Sequence, residues 1–265
     1  MTELLRYQRA PLRVRDPLWL RIGAAAPLRI GSVVPEVAHA LALASFEAGW
    51  CIHAFSRPDA TLATLAQTLR ERGLLGAWRD ELLPVHPDSE GVQLGEPVAR
   101  IERAAVRALG IATRAVHLHG VSVREGEPQG IWAQLRSKDK ANDPGLWDTL
   151  MGGMVSAADT LEQALARETW EEAGLRLDVL HDVVYAGVLD IRKPSDGVTG
   201  VGYTVERIDW YRCTVPLGVE PVNQDGEVER FELVSPHRVR ADVAAGRYTL
   251  EAALILAPDL IQPAG

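Results

Sequence analysis

The sequence predicts an α/β (α+β) chain in two parts: a small N-terminal α+β domain over residues 1–110 and a second α/β domain over 111–265. Three observations predict it. Short strand patterns alternate with helical apolar stripes along the whole chain. At Gly110 the pattern changes to longer segments of alternating apolar residues. One strongly marked helix, 160–173, lies between the strand patterns of the second part.

In the first part, Leu18-Trp19-Leu20-Arg21-Ile22 and Leu28-Arg29-Ile30-Gly31 read as short strands around a small-residue turn. Pro35 suits the first turn of a helix over 36–46, with Val37, Leu41 and Ala44 on one face. Residues 50–55 read as a strand. A helix over 60–72 is apolar at Leu62, Leu65, Ala66 and Leu69 and ends at Gly73. A loop rich in Pro, Gly and Asp, 84–97, leads to an Arg-rich helix near 98–109. In the second part, 116–123 and 130–135 form a predicted hairpin. A third strand, 147–151, runs into Gly152-Gly153. Further strands are expected near 183–189, 201–211 and 231–234, and a C-terminal helix over 248–260.

Charge and composition narrow the function classes. A formal net charge of -8 argues against nucleic acid as partner, because binding a polyanion needs a concentrated positive footprint. No stretch approaches the ~18 apolar residues of a membrane span, and residues 1–15 lack the apolar run of a secretory signal. Cys51 and Cys213 stand far apart without metal-binding spacing and read as free thiols. A soluble, cytoplasmic protein is the expectation. An acidic protein that handles phosphate needs metal ions or local cations to offset repulsion.

The chemistry is concentrated between Gly153 and Leu175. Asp159 reads as the N-cap of the helix, with Glu162 three positions on, and Gly174 as the residue that ends it. Leu161 and Leu165 form one stripe, and the same stripe continues through Glu168, Glu171 and Glu172. Carboxylates at these spacings repel, and the helix C-terminus disfavours negative charge further. Arg167 offsets one of them by reaching Glu171. A solvated acidic face would explain a few glutamates. Three acids that extend a buried stripe, after a Gly-Gly turn, point instead to a divalent cation such as Mg²⁺.

These residues resemble a known motif. Gly153, five residues, an acid, seven residues, then Arg167-Glu168-x-x-Glu171-Glu172-x-Gly174-Leu175 is similar to the Nudix box. Asp159 stands where that family usually has Glu, and Thr169, beside Trp170, replaces an aliphatic residue. The resemblance implies an α/β/α sandwich with a mixed sheet from about residue 111 onward. It implies Glu168, Glu171 and Glu172 as ligands of Mg²⁺ or Mn²⁺, with Arg167 holding them in place. The backbone at Gly152 and Gly153 would approach metal and phosphate. Water would attack a phosphorus of a small-molecule diphosphate. Glu229 is the candidate for a further catalytic carboxylate, with Glu227 close behind; an exposed acidic turn is the alternative for this stretch.

The surroundings, Arg136-Ser137, Lys138, Lys140, Asp143-Pro144-Gly145 and Trp147-Asp148, look like the thiamine pyrophosphokinase-related Nudix group. So do Trp78-Arg79-Asp80-Glu81-Leu82 and Arg100-Ile101-Glu102-Arg103 of the first part, a domain that could close over the site as a lid. That likeness implies thiamine diphosphate or damaged analogues of it as substrate, with Arg136, Lys138 and Lys140 around the diphosphate tail. Alternatives are a nucleoside-diphosphate-linked substrate such as ADP-ribose or NADH, and a non-catalytic ligand-binding Nudix domain. Isomerisation of isopentenyl diphosphate would need a cysteine close ahead of the box, and none lies between Cys51 and Cys213. His117 and His119 share one side of a strand. Trp78, Trp132 and Trp147 are assigned to core packing rather than ring stacking. A homodimer is left open.

Overall fold

The computed structural model describes residues 3–87, 94–124, 127–140, 142–195 and 200–261. Along the chain run β1 (Glu3–Gln8), β2 (Asp16–Ile22), β3 (Leu28–Val33), α1 (Pro35–Ala40), β4 (Ala44–Phe46), β5 (Gly49–Ala54), α2 (Pro58–Glu71), β6 (Leu82–Val85) and β7 (Ala99–Glu102). The second part contains β8 (Ala112–Arg124), β9 (Glu127–Arg136), β10 (Trp147–Asp148), β11 (Met151–Met154), α3 (Leu161–Ala173), β12 (His181–Pro194), β13 (Tyr203–Thr214), β14 (Val228–Val234), α4 (Pro236–Ala244) and α5 (Leu250–Ile261). No helix among the described residues is long and apolar enough to cross a membrane.

The large sheet runs β1-β12-β13-β8-β9-β10, with β11 added to β8 and β14 to β9. It is mixed: β1 is parallel to β12 and β13 to β8, whereas β12 with β13 and β8 with β9 are antiparallel. Alternation along β8 sorts the layers. Val116 and Leu118 pack with Leu165 and Ala173 of α3, and Ala115 packs with Ile255 of α5 on the opposite face. The β9 residues Ile131 and Ala133 pack with Val239 of α4 and Leu256 of α5. This is the expected α/β/α sandwich.

Several local expectations change. The helix expected over 36–46 stops at Ala40, since Ala42 takes a left-handed conformation (φ 52°) and Ala44–Phe46 pairs with β5. The Arg-rich stretch near 98–109 is strand β7 followed by the short 3-10 turn Arg103–Ala105. There Ala99 and Ile101 are buried and the Arg100 side chain between them pairs with Asp59 at 2.8 Å, a period of two that the arginines disguised. The strand expected over 147–151 splits into β10 on β9 and β11 on β8. The strand β1 and helix α4 had no counterpart in the sequence reading. The predicted 84–97 loop is strand at its start (β6), and its centre, 88–93, lies outside the described residues.

Although β1 precedes residue 110, it belongs to the large sheet, in register from Glu3 with Gly187 to Gln8 with Arg192. The remaining N-terminal strands form a sheet β3-β2-β5-β4 and the pair β6-β7. Both parts share one apolar cluster, in which Met154 and Val201 join Leu18, Ile30, Leu62 and Leu109. Arg15 fastens the join, donating to Ser32 Oγ at 3.0 Å, the Ala108 carbonyl at 2.9 Å and the Val201 carbonyl. Gly31 is required there, because a Cβ would lie 2.5 Å from the Leu109 carbonyl oxygen.

Candidate active site

Helix α3 begins one residue later than its sequence suggested. The N-cap is Thr160, whose Oγ1 accepts from the Gln163 amide at 3.2 Å while Gln163 Oε1 accepts from the Thr160 amide at 2.8 Å. Asp159, freed from capping, instead takes Arg167 at 2.8 Å. At the other end Gly174 adopts φ 62°, and a Cβ there would meet the Val222 carbonyl at 2.5 Å. The two departures from the motif are absorbed locally. Thr169 is buried and its hydroxyl donates to the Leu165 carbonyl at 2.6 Å, while Trp170 turns outward and is half exposed.

The last two turns of α3 carry the three glutamates into different environments. Glu171 is the most open, with 42% of its side chain exposed against 13% for Glu168 and 2% for Glu172. Arg167 binds Glu168 and Glu171, each at 2.9 Å, and donates to the Met154 carbonyl at 3.2 Å. Glu172 is held from three sides: the Gly152 amide at 3.0 Å, Gln134 Nε2 at 2.9 Å and Lys140 Nζ at 3.3 Å. Gly153 leaves room for Glu168, since a Cβ there would fall 2.0 Å from Glu168 Cδ. The β11–β8 pairing, Gly152 with His117 and Gly153 with Val116, sets this double glycine beside the helix.

Burial pushes the Glu168 carboxyl up to about 7, and repulsion from Glu172 and Glu171 adds to it against the pull of Arg167. Burial also raises Glu172, opposed by Lys140. The unfolded chain gives up the Glu168 proton near the ordinary value of 4.5, well before the folded protein does. The contribution of this group to stability is therefore whole below about 4.5 and is lost as pH rises through about 7. In EDTA, the wild type is expected to lose on the order of 3 kcal/mol across that window relative to Glu168→Gln. Thermal melts of both proteins at intervals from pH 4 to 8 measure it. Parallel pH profiles would remove Glu168 as the cause.

These groups line a polar cleft of about 300 Å³ together with Arg136, Lys140, His117 and Asp148. Ten carboxylates and five Lys or Arg side chains face it. Of the expected basic cluster, Arg136 pairs with Asp148 at 3.2 Å and Lys140 bridges Glu172 and Glu227, while Lys138 is exposed and lies off the cleft. The expectation for Glu229 is corrected too. Val228 pairs with Arg136, a bulge follows before Arg230, and Glu229 is left outside the cleft against Arg230 at 3.2 Å. Glu227 lines the cleft, and Lys140 holds its carboxyl below the usual range despite the cost of burial.

None of the three tryptophans lines the cleft: Trp147, Trp132 and Trp78 pack in separate apolar clusters. His117 lines it and His119 does not, being bound to Asp259 at 2.7 Å. The sequence reading missed Glu81, Arg103 and Arg107, which reach the cleft from the first part, and Glu206 and Glu251 from the second. The pairing of Arg103 with Glu81 at 2.6 Å had a faint signal in the two quoted N-terminal motifs. Arg107 had none.

Among the described residues no group of three or more His, Cys, Asp or Glu is already gathered as a metal cage, because Arg167 and Lys140 occupy the carboxylates. The donor set nonetheless suits a hard divalent cation. It offers carboxylate oxygens, two of them desolvated, against a glycine cradle that a Cβ would fill.

Residues 114–254 match the family model described as NUDIX domain. The chain belongs to the Nudix family. Two Arabidopsis thaliana relatives are Nudix hydrolase 24, chloroplastic, 28% identical over 65% of this chain and 45% of its own length, and Nudix hydrolase 20, chloroplastic, 31% identical over 65% and 44%. The isopentenyl-diphosphate Delta-isomerase of Leifsonia xyli subsp. xyli is 27% identical over 68% of this chain and 97% of its own length. The chain thus spans about half the length of the two plant relatives it matches. The Nudix box is the segment that builds the α3 wall of the cleft, whereas Glu81, Arg103 and Arg107 lie ahead of the matched region.

Proposed function

We propose that this Nudix protein hydrolyses the diphosphate bond of a small molecule, using Mg²⁺, or Mn²⁺ in its place, held by Glu168, Glu171 and Glu172. One observation carries the reading: α3 presents two desolvated carboxylates and one open carboxylate to a cleft floored by Gly152 and Gly153. Keeping such charges without water is costly unless a cation joins them. When bound, the divalent ion would activate water for attack on phosphorus and screen the phosphate oxygens. The protein's own groups do the rest. Arg167 fixes the rotamers of Glu168 and Glu171, and the Gly152 amide and Gln134 fix Glu172.

For the substrate we propose thiamine diphosphate or a damaged analogue, cleaved to the monophosphate. Support comes from the flanking resemblance and from the charge of the cleft. Ten carboxylates facing five cations favour a substrate that brings a positive ring along with its diphosphate. A thiazolium does so and ADP-ribose does not. Isomerase chemistry has less support despite the Leifsonia likeness, since no cysteine lies close ahead of the box: Cys51 is about a hundred residues before it and Cys213 follows it. The cytoplasm is proposed as the setting on the strength of two buried free thiols.

The test is a panel of thiamine diphosphate, an oxidised analogue, ADP-ribose, NADH and dinucleoside polyphosphates with Mg²⁺, scored by phosphate-containing products. Release of thiamine monophosphate in preference to the rest is expected. Preferential cleavage of a nucleotide would replace the thiamine assignment, and full activity in EDTA would overturn the metal.

A further inference from the structure

We infer that Arg107, contributed from ahead of the matched Nudix region, is the residue that binds the substrate's phosphate group in the cleft. The inference rests on the diphosphate reading above and names a recognition residue that this reading does not contain.

Of the five Lys and Arg side chains that line the cleft, four are already matched to carboxylates. Arg103 meets Glu81 at 2.6 Å, Arg136 meets Asp148 at 3.2 Å, Lys140 meets Glu172 at 3.3 Å and Arg167 meets Glu168 at 2.9 Å. Arg107 differs. Its guanidinium donates to the Thr204 hydroxyl at 2.8 Å and forms no ion pair among the described residues. A neutral hydroxyl orients the fork without discharging it, so a full positive charge and most of its N–H donors stay available. Glu206, on the same strand as Thr204 and also facing the cleft, is engaged by the Thr113 hydroxyl at 2.9 Å instead.

Arg107 is also held firmly. Its carbonyl accepts the Tyr203 amide at 2.9 Å and the Gly110 amide at 3.3 Å, and Thr204 is buried at the start of β13. Backbone and side chain are therefore both fastened to one strand end. A guanidinium that is charged, preorganised and without an ion pair among the described residues, in a cleft rich in carboxylates, has the chemistry of an oxyanion receptor, and phosphate takes its planar fork well. In such a cleft it also sets polarity: the anionic part of a substrate is drawn to this guanidinium and its cationic part to the carboxylates.

The test compares wild type, Arg107→Gln and Arg107→Lys. The probe is methylenediphosphonate, a diphosphate mimic that cannot be hydrolysed, measured by calorimetry with Mg²⁺ present. Its Kd is expected to rise roughly 10- to 100-fold in Arg107→Gln and by less in Arg107→Lys. With the best substrate of the panel, KM should rise by a similar factor and kcat should fall far less. An unchanged Kd in Arg107→Gln would overturn the inference. So would a loss confined to kcat, or weaker binding that tracks a lowered melting temperature. Calorimetry needs no turnover, so a wild type that binds the probe through Arg107 yet cleaves no diphosphate would sink the hydrolase reading and leave this one standing.

Discussion

Glu171→Gln is expected to lower kcat/KM by at least about 100-fold while the protein still folds and melts within a few degrees of wild type. The asymmetry follows from where this glutamate sits. With 42% of its side chain exposed and Arg167 as its partner at 2.9 Å, it makes an ion pair of the kind that adds little to stability. Its charge, by contrast, is one of three proposed to hold the cation, and an amide oxygen is a far poorer ligand. Glu172→Gln is expected to be less clean. Glu172 joins the Gly152 amide, Gln134 and Lys140 in a buried network, so its neutral replacement leaves Lys140 partly unmatched and should lower the melting temperature as well as the rate. Steady-state rates with a Mg²⁺ titration, set beside thermal melts, separate the two. Wild-type turnover in Glu171→Gln would remove the assigned site.

The second large effect is expected from a single methyl group. In Gly153→Ala the new Cβ would lie 2.0 Å from Glu168 Cδ and 2.2 Å from Oε2, distances that no real structure tolerates. The clash is with the end of a flexible side chain rather than with backbone, so the fold can yield by swinging the carboxylate aside. Stability should change little, whereas Mg²⁺ affinity and turnover should drop by roughly 10- to 100-fold because Glu168 is no longer held at the cleft wall. Gly76→Ala serves as control, since a Cβ at Gly76 meets nothing within 4 Å. Equal activity of Gly153→Ala and wild type would show that the position of Glu168 against the double glycine has no part in function.

The helix that carries the box was readable because its determinants are local. Leu165, Glu168 and Glu172 fall on one side of any helix with this spacing, and Gly174 ends it where a left-handed residue is needed. Even here the N-cap shifted from Asp159 to Thr160, because Asp159 had a stronger claim on Arg167 eight residues on than on the backbone beside it. The β7 region was misread for a related reason. Three arginines within 98–109 suggested a helix, but the period of two at Ala99 and Ile101 was set by burial against α2 and the β6 partner strand.

By itself, then, the sequence determined the helix that carries the box and the three carboxylates along it, since these depend on residues within a few positions of each other, and the sandwich class followed from the resemblance of that segment to the Nudix box. Tertiary structure alone decided that Glu227 and not Glu229 faces the cleft, and that Lys140 enters while Lys138 stays outside. It also decided that β1 joins the large sheet and that Arg107 reaches a site built around α3. The reason is that a side chain's direction on a bulged strand or a turn is set by the register of its partner strand, and those partners lie tens to nearly two hundred residues away along the chain.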